Sequence, residues 1–293
     1  MPNWTEAMNQ TFEYYVVDPG TWMNIRPLNN VLSCTINRDD DSETLGSATI
    51  DIDGTLNECY VRVYLVTIQN GVTEKHPLGT FLVQTPSSNR DGKTKQASMD
   101  AYTPLIELKE NPPPIGYSIP KGENVLSRAM DLTREHLRAP VVRTSSSTTL
   151  AYDFVANTND TWLTYIRDLI SNDKRSFALD ELGRILYEPI QDIATLQPVW
   201  EYNDDNSSIL YPNFNIEHDM YGLPNVVEVL YSNGKDSFYS KVVNDDPNSP
   251  ISTVNRGREI TRRIIDPDMV GIPTQAMIDE YATQMLRSLS SLE

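Results

Sequence analysis

The sequence has 293 residues, with 41 Asp and Glu against 24 Lys and Arg, a formal net charge of −17. So acidic a chain excludes nucleic acid as a tight ligand and an anionic membrane surface as a docking site, although DNA can pass an acidic wall without sticking. An apolar content of 39% allows two or three domains with real cores and rules out a wholly disordered chain.

Cys34 and Cys59 sit in alternating apolar stretches and read as small buried hydrophobes. Two cysteines cannot supply a disulfide framework or a four-ligand zinc site. The N-terminus, M-P-N-W-T-E-A-M-N-Q, lacks the basic region and apolar core of a signal peptide. No apolar run approaches the roughly 18 residues that span a bilayer. The expectation is a soluble chain made in a reducing cytoplasm, with no stable membrane anchoring.

The first third reads as β. Asn30 to Asn37 and Ser47 to Asp53 alternate apolar and polar residues, around a polar turn R-D-D-D-S-E. Cys59 to Gln69 is long and β-branched, with Val61, Val63 and Leu65 on one face and Tyr60, Arg62 and Tyr64 on the other. Asn70-Gly71 is a tight-turn signal, and Leu78 to Thr85 returns to complete a hairpin. Gln96 to Tyr102 follows a polar loop. Five strands in about a hundred residues predict a sandwich or barrel.

The middle changes character after Pro112-Pro113-Pro114, a stiff break. Apolar spacing predicts a helix over Asn124 to Arg138, stopped by Ala139-Pro140, and another over Thr161 to Ser171 behind an N-cap region. Between them lie a Ser/Thr-rich loop, R-T-S-S-S-T-T, and a short strand, Leu150 to Val155. Ser176 to Asp180 and Arg184 to Glu188 flank E-L-G as a further hairpin. The last third returns to β, with strands at Ile209 to Ile216, Asn225 to Tyr231 and Ser237 to Val243, a turn at Ser232 to Lys235, and a closing helix over Pro273 to Leu292. The layout suggests a duplicated β module, with no residue-level repeat to support it.

Chemistry is sparse. His76, His136 and His218 have no ligand-spaced partners and read as surface or cap residues. No nucleophile elbow, zinc-protease, Walker, dinucleotide-binding or C-x-x-C motif occurs. Asp51-Ile52-Asp53-Gly54 with Glu58 lacks the spacing of a calcium loop, and Asp39 to Asp41 and Asp245-Asp246-Pro247 read as hairpin tips. Carboxylates are plentiful, but no pair stands out as a glycosidase site. No catalytic residue, metal or cofactor is expected.

One stretch runs against the overall charge. Ser249 to Asp268, S-P-I-S-T-V-N-R-G-R-E-I-T-R-R-I-I-D-P-D, places Arg256, Arg258, Arg262 and Arg263 within eight residues, on what reads as a turn followed by a strand. Alternation puts Ile260, Arg262 and Ile264 on one strand face, and Glu259, Thr261, Arg263 and Ile265 on the other. A solvated face pairing with local acids is the plain reading. The alternative is a subunit interface with acidic surface on a neighbour.

Taken in order, several segments resemble the tail hub proteins of tailed bacteriophages, also called baseplate hub or tail-associated tip proteins. They are the hairpin Val61 to Leu65 with Leu78 to Val83; Ala97-Ser98-Met99-Asp100-Ala101-Tyr102 before a helix; Thr161-Trp162-Leu163 to Leu169-Ile170; and Phe177 to Ile185 with its D-x-x-G turn. Asn225 to Val229, Ser249 to Val254 with Gly257-Arg258, and the helix from Thr274 complete the set. The resemblance implies an α+β, mainly β chain: two tail-tube-like antiparallel barrel or sandwich domains, residues 1–106 and 195–293, flanking a small α/β domain, 107–194, with a C-terminal helix.

The resemblance further implies a homotrimeric structural protein of the virion, synthesised in the bacterial host cytoplasm. It would join a six-fold tail tube to a three-fold tip and line the channel through which DNA passes in transit. Its partners would be copies of itself, the distal tail or tail tube protein, tip, fibre or receptor-binding proteins, and the tape measure protein. Many relatives continue into a lytic or receptor-binding region beyond the point where this sequence stops, Glu293; either the hub is minimal or something else completes it. Two other readings stay open: a six-copy distal tail or tube adaptor, and a cell-wall-degrading tail enzyme.

Overall fold

The computed structural model describes residues 2–91, 94–191, 196–197, 220–232, 235–267 and 274–290. The chain forms two compact units, Met1–Ile190 and Gln191–Glu293.

The first unit is built on β1 (Asn9–Val17), β2 (Asn24–Pro27), β3 (Val31–Asn37), β4 (Ser47–Asp53), β5 (Cys59–Gln69), β6 (Val72–Asp91) and β7 (Thr94–Tyr102). They make one seven-stranded sheet in the order β2-β1-β5-β6-β7-β4-β3, with every pairing antiparallel. Asn70 (φ 51°) and Gly71 (φ 77°) make the turn between β5 and β6, both in the left-handed region that such a two-residue turn requires. Because β2 and β3 end the sheet without pairing to each other, the expected barrel is not closed among the described residues.

Two cores share this sheet. Val16, Ile50, Ile52, Val61, Val63, Phe81, Val83 and Met99 bury one face, with Leu28 and Leu56 from connecting loops. No helix contributes to that cluster, so the sheet must curl over its own face to bury these side chains. Val17, Tyr60 and Leu82 point the other way, into the helical layer. Residues 60 to 63 are therefore buried on both of the faces that alternation separates.

That layer contains α1 (Ile106–Lys109), β8 (Ser118–Ile119), α2 (Val125–His136), β9 (Phe154–Val155), α3 (Trp162–Ser171), β10 (Arg175–Leu179) and β11 (Ile185–Pro189). The Asn124 side chain caps α2 by accepting from Ser127 N at 2.9 Å. Thr161 and Thr164 cap α3 reciprocally. Leu126, Ala129 and Leu132 of α2 and Leu163, Ile166, Leu169 and Ile170 of α3 are fully buried, each large aliphatic side chain contributing about 1.5–3 kcal/mol on burial. The strand expected over Leu150 to Val155 shrinks to Phe154–Val155, paired with Ser118–Ile119.

The second unit contains β12 (Val226–Ser232), β13 (Ser237–Val243), α4 (Thr253–Arg256), β14 (Thr261–Ile265) and α5 (Gln275–Leu289). The sheet order is β13-β12-β14. β14 runs parallel to β12, which corrects the expected all-antiparallel domain. Ile278, Ala282 and Leu286 of α5 pack on Val227 and Val229. The expected strand Ile209 to Ile216 lies outside the described residues.

A buried carboxylate ties the Ser/Thr-rich loop to the end of α3. Asp173 accepts from Ser146 Oγ at 2.6 Å, from Thr148 Oγ1, and from Arg175 Nε at 3.0 Å. Burial opposes its charge, but the Ser146, Thr148 and Arg175 donors outweigh burial and hold the carboxyl below its ordinary range. Its contribution to stability is complete above about pH 4, the unfolded value, and is lost as pH falls through the lower folded value. Asp173→Asn is expected to cost about 1–3 kcal/mol at pH 7. Urea melts between pH 2 and 7 should show a flatter acid limb in the variant, and parallel limbs would refute the assignment.

Candidate functional site

The D-x-x-G turn joining β10 to β11 docks on the sheet through one oxygen. The Leu182 carbonyl accepts from Trp22 Nε1 at 2.9 Å, Thr80 Oγ1 at 2.8 Å and Arg62 Nη2 at 3.3 Å. Asp180 shapes the turn by accepting from Leu182 N (3.0 Å) and Arg184 N (2.8 Å) through Oδ1. Gly183 has φ +73°, and a Cβ there would lie 2.9 Å from Thr80 Cβ.

Arg62 is only 4% exposed. Besides Leu182 O, its guanidinium donates to Thr80 Oγ1 (2.7 Å), Trp22 O (3.2 Å) and Asn24 Oδ1 (3.4 Å), and it lies 5.8 Å from the Trp22 ring. Neutral acceptors thus satisfy a buried charge without an ion pair. Nearby, Glu107 Oε2 accepts from Arg138 N at 2.8 Å, and Oε1 from Arg138 Nε at 2.5 Å. Arg138 also covers the Tyr60 ring at 5.2 Å. The Tyr60 hydroxyl lies close enough to Glu107 to feel its charge but outside hydrogen-bond geometry. Burial, and then that carboxylate, hold the phenol protonated above its ordinary range.

Beside the docked turn lies a cleft of about 710 Å³, walled by β10, the Leu78 to Phe81 part of β6, and the β3–β4 loop. Apolar Leu45, Leu78 and Leu179 and charged Arg38 and Asp41 all reach it.

In the second unit the four arginines separate. The stretch expected as a turn forms α4, capped by the Ser252 side chain and ended by Gly257 at φ +63°. Arg256 folds inward and donates to Leu223 O at 3.0 Å and Met220 O at 2.9 Å. Arg263 pairs with Glu228 across the parallel ladder at 2.7 Å, while Lys241, opposite Glu228 on β13, bonds Glu259 at 3.0 Å. Arg262 stands beside Val227 on the α5 side of the sheet. Arg258 and Arg262 are exposed, and no partner for either side chain occurs among the described residues.

Asn225 holds this region together. Fully buried, its side chain donates to Ile251 O (3.1 Å) and Arg258 O (2.9 Å) and accepts from Ile260 N (2.7 Å). On the face away from α5, Leu230 neighbours Tyr239 and Ile265 in register, and all three are exposed.

The other sequence candidates disperse. His136 stacks on Trp162 at 4.1 Å, and His76 lies 3.3 Å from Thr67 Oγ1. His218 lies outside the described residues. Burial and then Asp51 push the Cys34 thiol up to about 11, as suits a small filler rather than a nucleophile. Ser33, followed by Ser98, hydrogen-bonds Asp51 and holds its carboxyl low. Among the described residues, no cluster of three or more His, Cys, Asp or Glu could hold a metal ion, and no helix is long and apolar enough to cross a membrane.

The fold is that of several solved phage tail proteins. The tail protein from Neisseria meningitidis MC58 aligns over 96% of this chain and 77% of its own, with a TM-score of 0.65 at 16% identity. The 43 kDa tail protein of prophage MuSo2 from Shewanella oneidensis aligns over 95% and 78%, with a TM-score of 0.60 at 9% identity. The prophage tail protein gp18 from Listeria monocytogenes EGD-e aligns over 91% and 75%, with a TM-score of 0.51 at 13% identity. No family model and no curated protein matches the sequence.

Two substitutions test the buried polar contacts. Gly122 also has positive φ but open space around it, so Gly183→Ala should cost about 1 kcal/mol more than Gly122→Ala in urea unfolding. Equal costs would mean that the turn is not held against Thr80. Asn225→Ala leaves one buried and two half-buried main-chain groups without their partner and should destabilise the second unit by about 1–3 kcal/mol. An unchanged melting temperature would refute that role.

Proposed function

We propose that this chain is a structural, non-catalytic component of a phage tail tip, a hub that closes a ring with copies of itself. The observation that carries the reading is the shared fold with phage tail proteins over nearly the whole chain. Two further features support it. The seven-stranded sheet ends in the unpaired edges β2 and β3, and β2 is exposed throughout, with Met23 and Ile25 beside and within it. Such an edge is a template for pairing with another chain. The second unit presents its Leu230, Tyr239 and Ile265 face between charges.

In this reading three copies form the ring, the simplest heterologous closure that offers six sheet units to a six-fold tube. The distal tail or tube protein sits above, tip, fibre or receptor-binding proteins below, and the tape measure protein and then DNA pass through the centre. Excess acid on a channel wall keeps phosphate from sticking. Arg256 and Arg263 act within the subunit, and Arg258 and Arg262 seat it against acidic surface on the next copy.

The double variant Arg258→Glu/Arg262→Glu should melt like the parent as an isolated chain but fail to complete tail tips at physiological salt, as scored by electron microscopy of a complemented lysogen. Normal tips would remove the arginines from the interface. Among the described residues every carboxylate with a resolved shift is lowered, as in Glu13, Asp51, Asp173 and Glu228, whereas a glycosidase acid needs one raised. Zymography on peptidoglycan is expected to give no cleared band, and a cleared band would replace the structural reading with an enzymatic one.

A further inference from the structure

One wall of the cleft beside the docked turn is β10. In the β10–β11 hairpin, Ile190 N donates to Lys174 O and Asp180 N to Arg184 O. Between these ends the register is Ser176↔Glu188 and Ala178↔Leu186. Antiparallel hydrogen bonding alternates, so Ser176 and Ala178 direct their main-chain groups to β11, while those of Arg175, Phe177 and Leu179 point away from it. Pro189, opposite Arg175, has no N–H, as this phase requires. Among the described residues no hydrogen bond takes up those outward groups. The far edge of β11 is already occupied, since Ile185 N donates to Pro140 O and Val142 N to Ile185 O. Across the cleft, Gly79 to Phe81 of β6 pair with β5 but not with β7, which joins only from Leu82, and Leu78 is skipped at a register shift.

We propose that this cleft accepts a strand: an extended segment of a different tail protein adds to the free edge of β10. The inference rests on the tail-tip reading for the source of the segment. The outward N–H and C=O groups recur at every second residue, about 6.6 Å apart along a line. Another main chain matches that repeat, and a sugar or nucleotide does not. A segment as long as β10 fits the space of about 710 Å³. Leu45, Leu78 and Leu179 favour apolar residues at alternate positions, and the three arginines and four carboxylates of the lining nearly balance, so the main-chain edge selects the occupant. A second copy is a poor donor through its N-terminus, because Asn3 exchanges hydrogen bonds with Gln69 at 2.8 and 3.0 Å and is tied down.

Hydrogen–deuterium exchange, read at Arg175, Phe177 and Leu179, tests the site in the isolated chain and in purified assembled tails. In isolation these amides should exchange quickly and those of Ser176 and Ala178 slowly. In the tail the outward amides should slow by about tenfold or more. Slow outward amides in the isolated chain would mean that the edge is already filled, and unchanged exchange in the tail would mean that nothing docks; either overturns the proposal. A photo-crosslinking residue at Ser176 should then capture another tail protein, and capture of a second copy of this chain would overturn the choice of occupant. Tails that lack the chain altogether would remove the tail-tip reading and this inference with it, whereas tails that contain it with unchanged exchange remove the inference alone.

Discussion

One main-chain oxygen holds the first unit together as a single body. The Leu182 carbonyl collects donors from β1–β2, β5 and β6 through Trp22, Arg62 and Thr80, and it comes from a hairpin that belongs to the helical layer. Val17, Tyr60 and Leu82 join the helical layer in one apolar cluster, whose burial favours adhesion between sheet and helices. Apolar contact alone tolerates sliding; three buried donors that share one acceptor do not, since each donor left unpaired costs about 1–3 kcal/mol. The Gly183 backbone then lies against Thr80 closely enough to exclude a side chain. The position of β10, and with it one wall of the cleft, follows from that contact.

Charge is handled differently in the two units. The first buries Arg62 among neutral acceptors and Glu107 against Arg138. The second carries four of its seven positive residues between Arg256 and Arg263, and its fold divides them. Arg256 closes a loop, Arg263 answers Glu228, and Arg258 and Arg262 remain at the surface. A cluster that looks uniform in sequence thus contains structural and surface members, and Asn225, by fixing the chain on either side of Gly257, determines which is which.

What could be read in advance followed from period and punctuation. Asn70-Gly71, the cap at Asn124, the β10–β11 hairpin and the order of strands around them were legible because local chemistry dictates each, whereas the cap of α3 falls on Thr161, just past the Asn157 to Asp160 region that the sequence offered. β1 was missed because its Tyr14-Tyr15-Val16-Val17 run is covered on both faces and shows no alternation. Alternation separates the Arg62 face from the Val61 face without revealing that the helical layer covers the first while the sheet curls over the second. The parallel register of β14 and the single turn of α4 depend on Asn225, a contact spanning 26 to 35 residues, and a lone Asn gives no sequence signal of it. The open ends of the seven-stranded sheet were likewise invisible, since closure is a property of strand order rather than of any one strand.

Those open edges, together with a fold shared with tail proteins, make self-association around an axis the centre of this account. Counting this chain in an image of the intact tail tip tests it most directly. Three copies encircling the central axis, with β2 or β3 paired across each boundary, is the predicted result. A solitary copy away from the axis, with its sheet edges facing solvent, would contradict it.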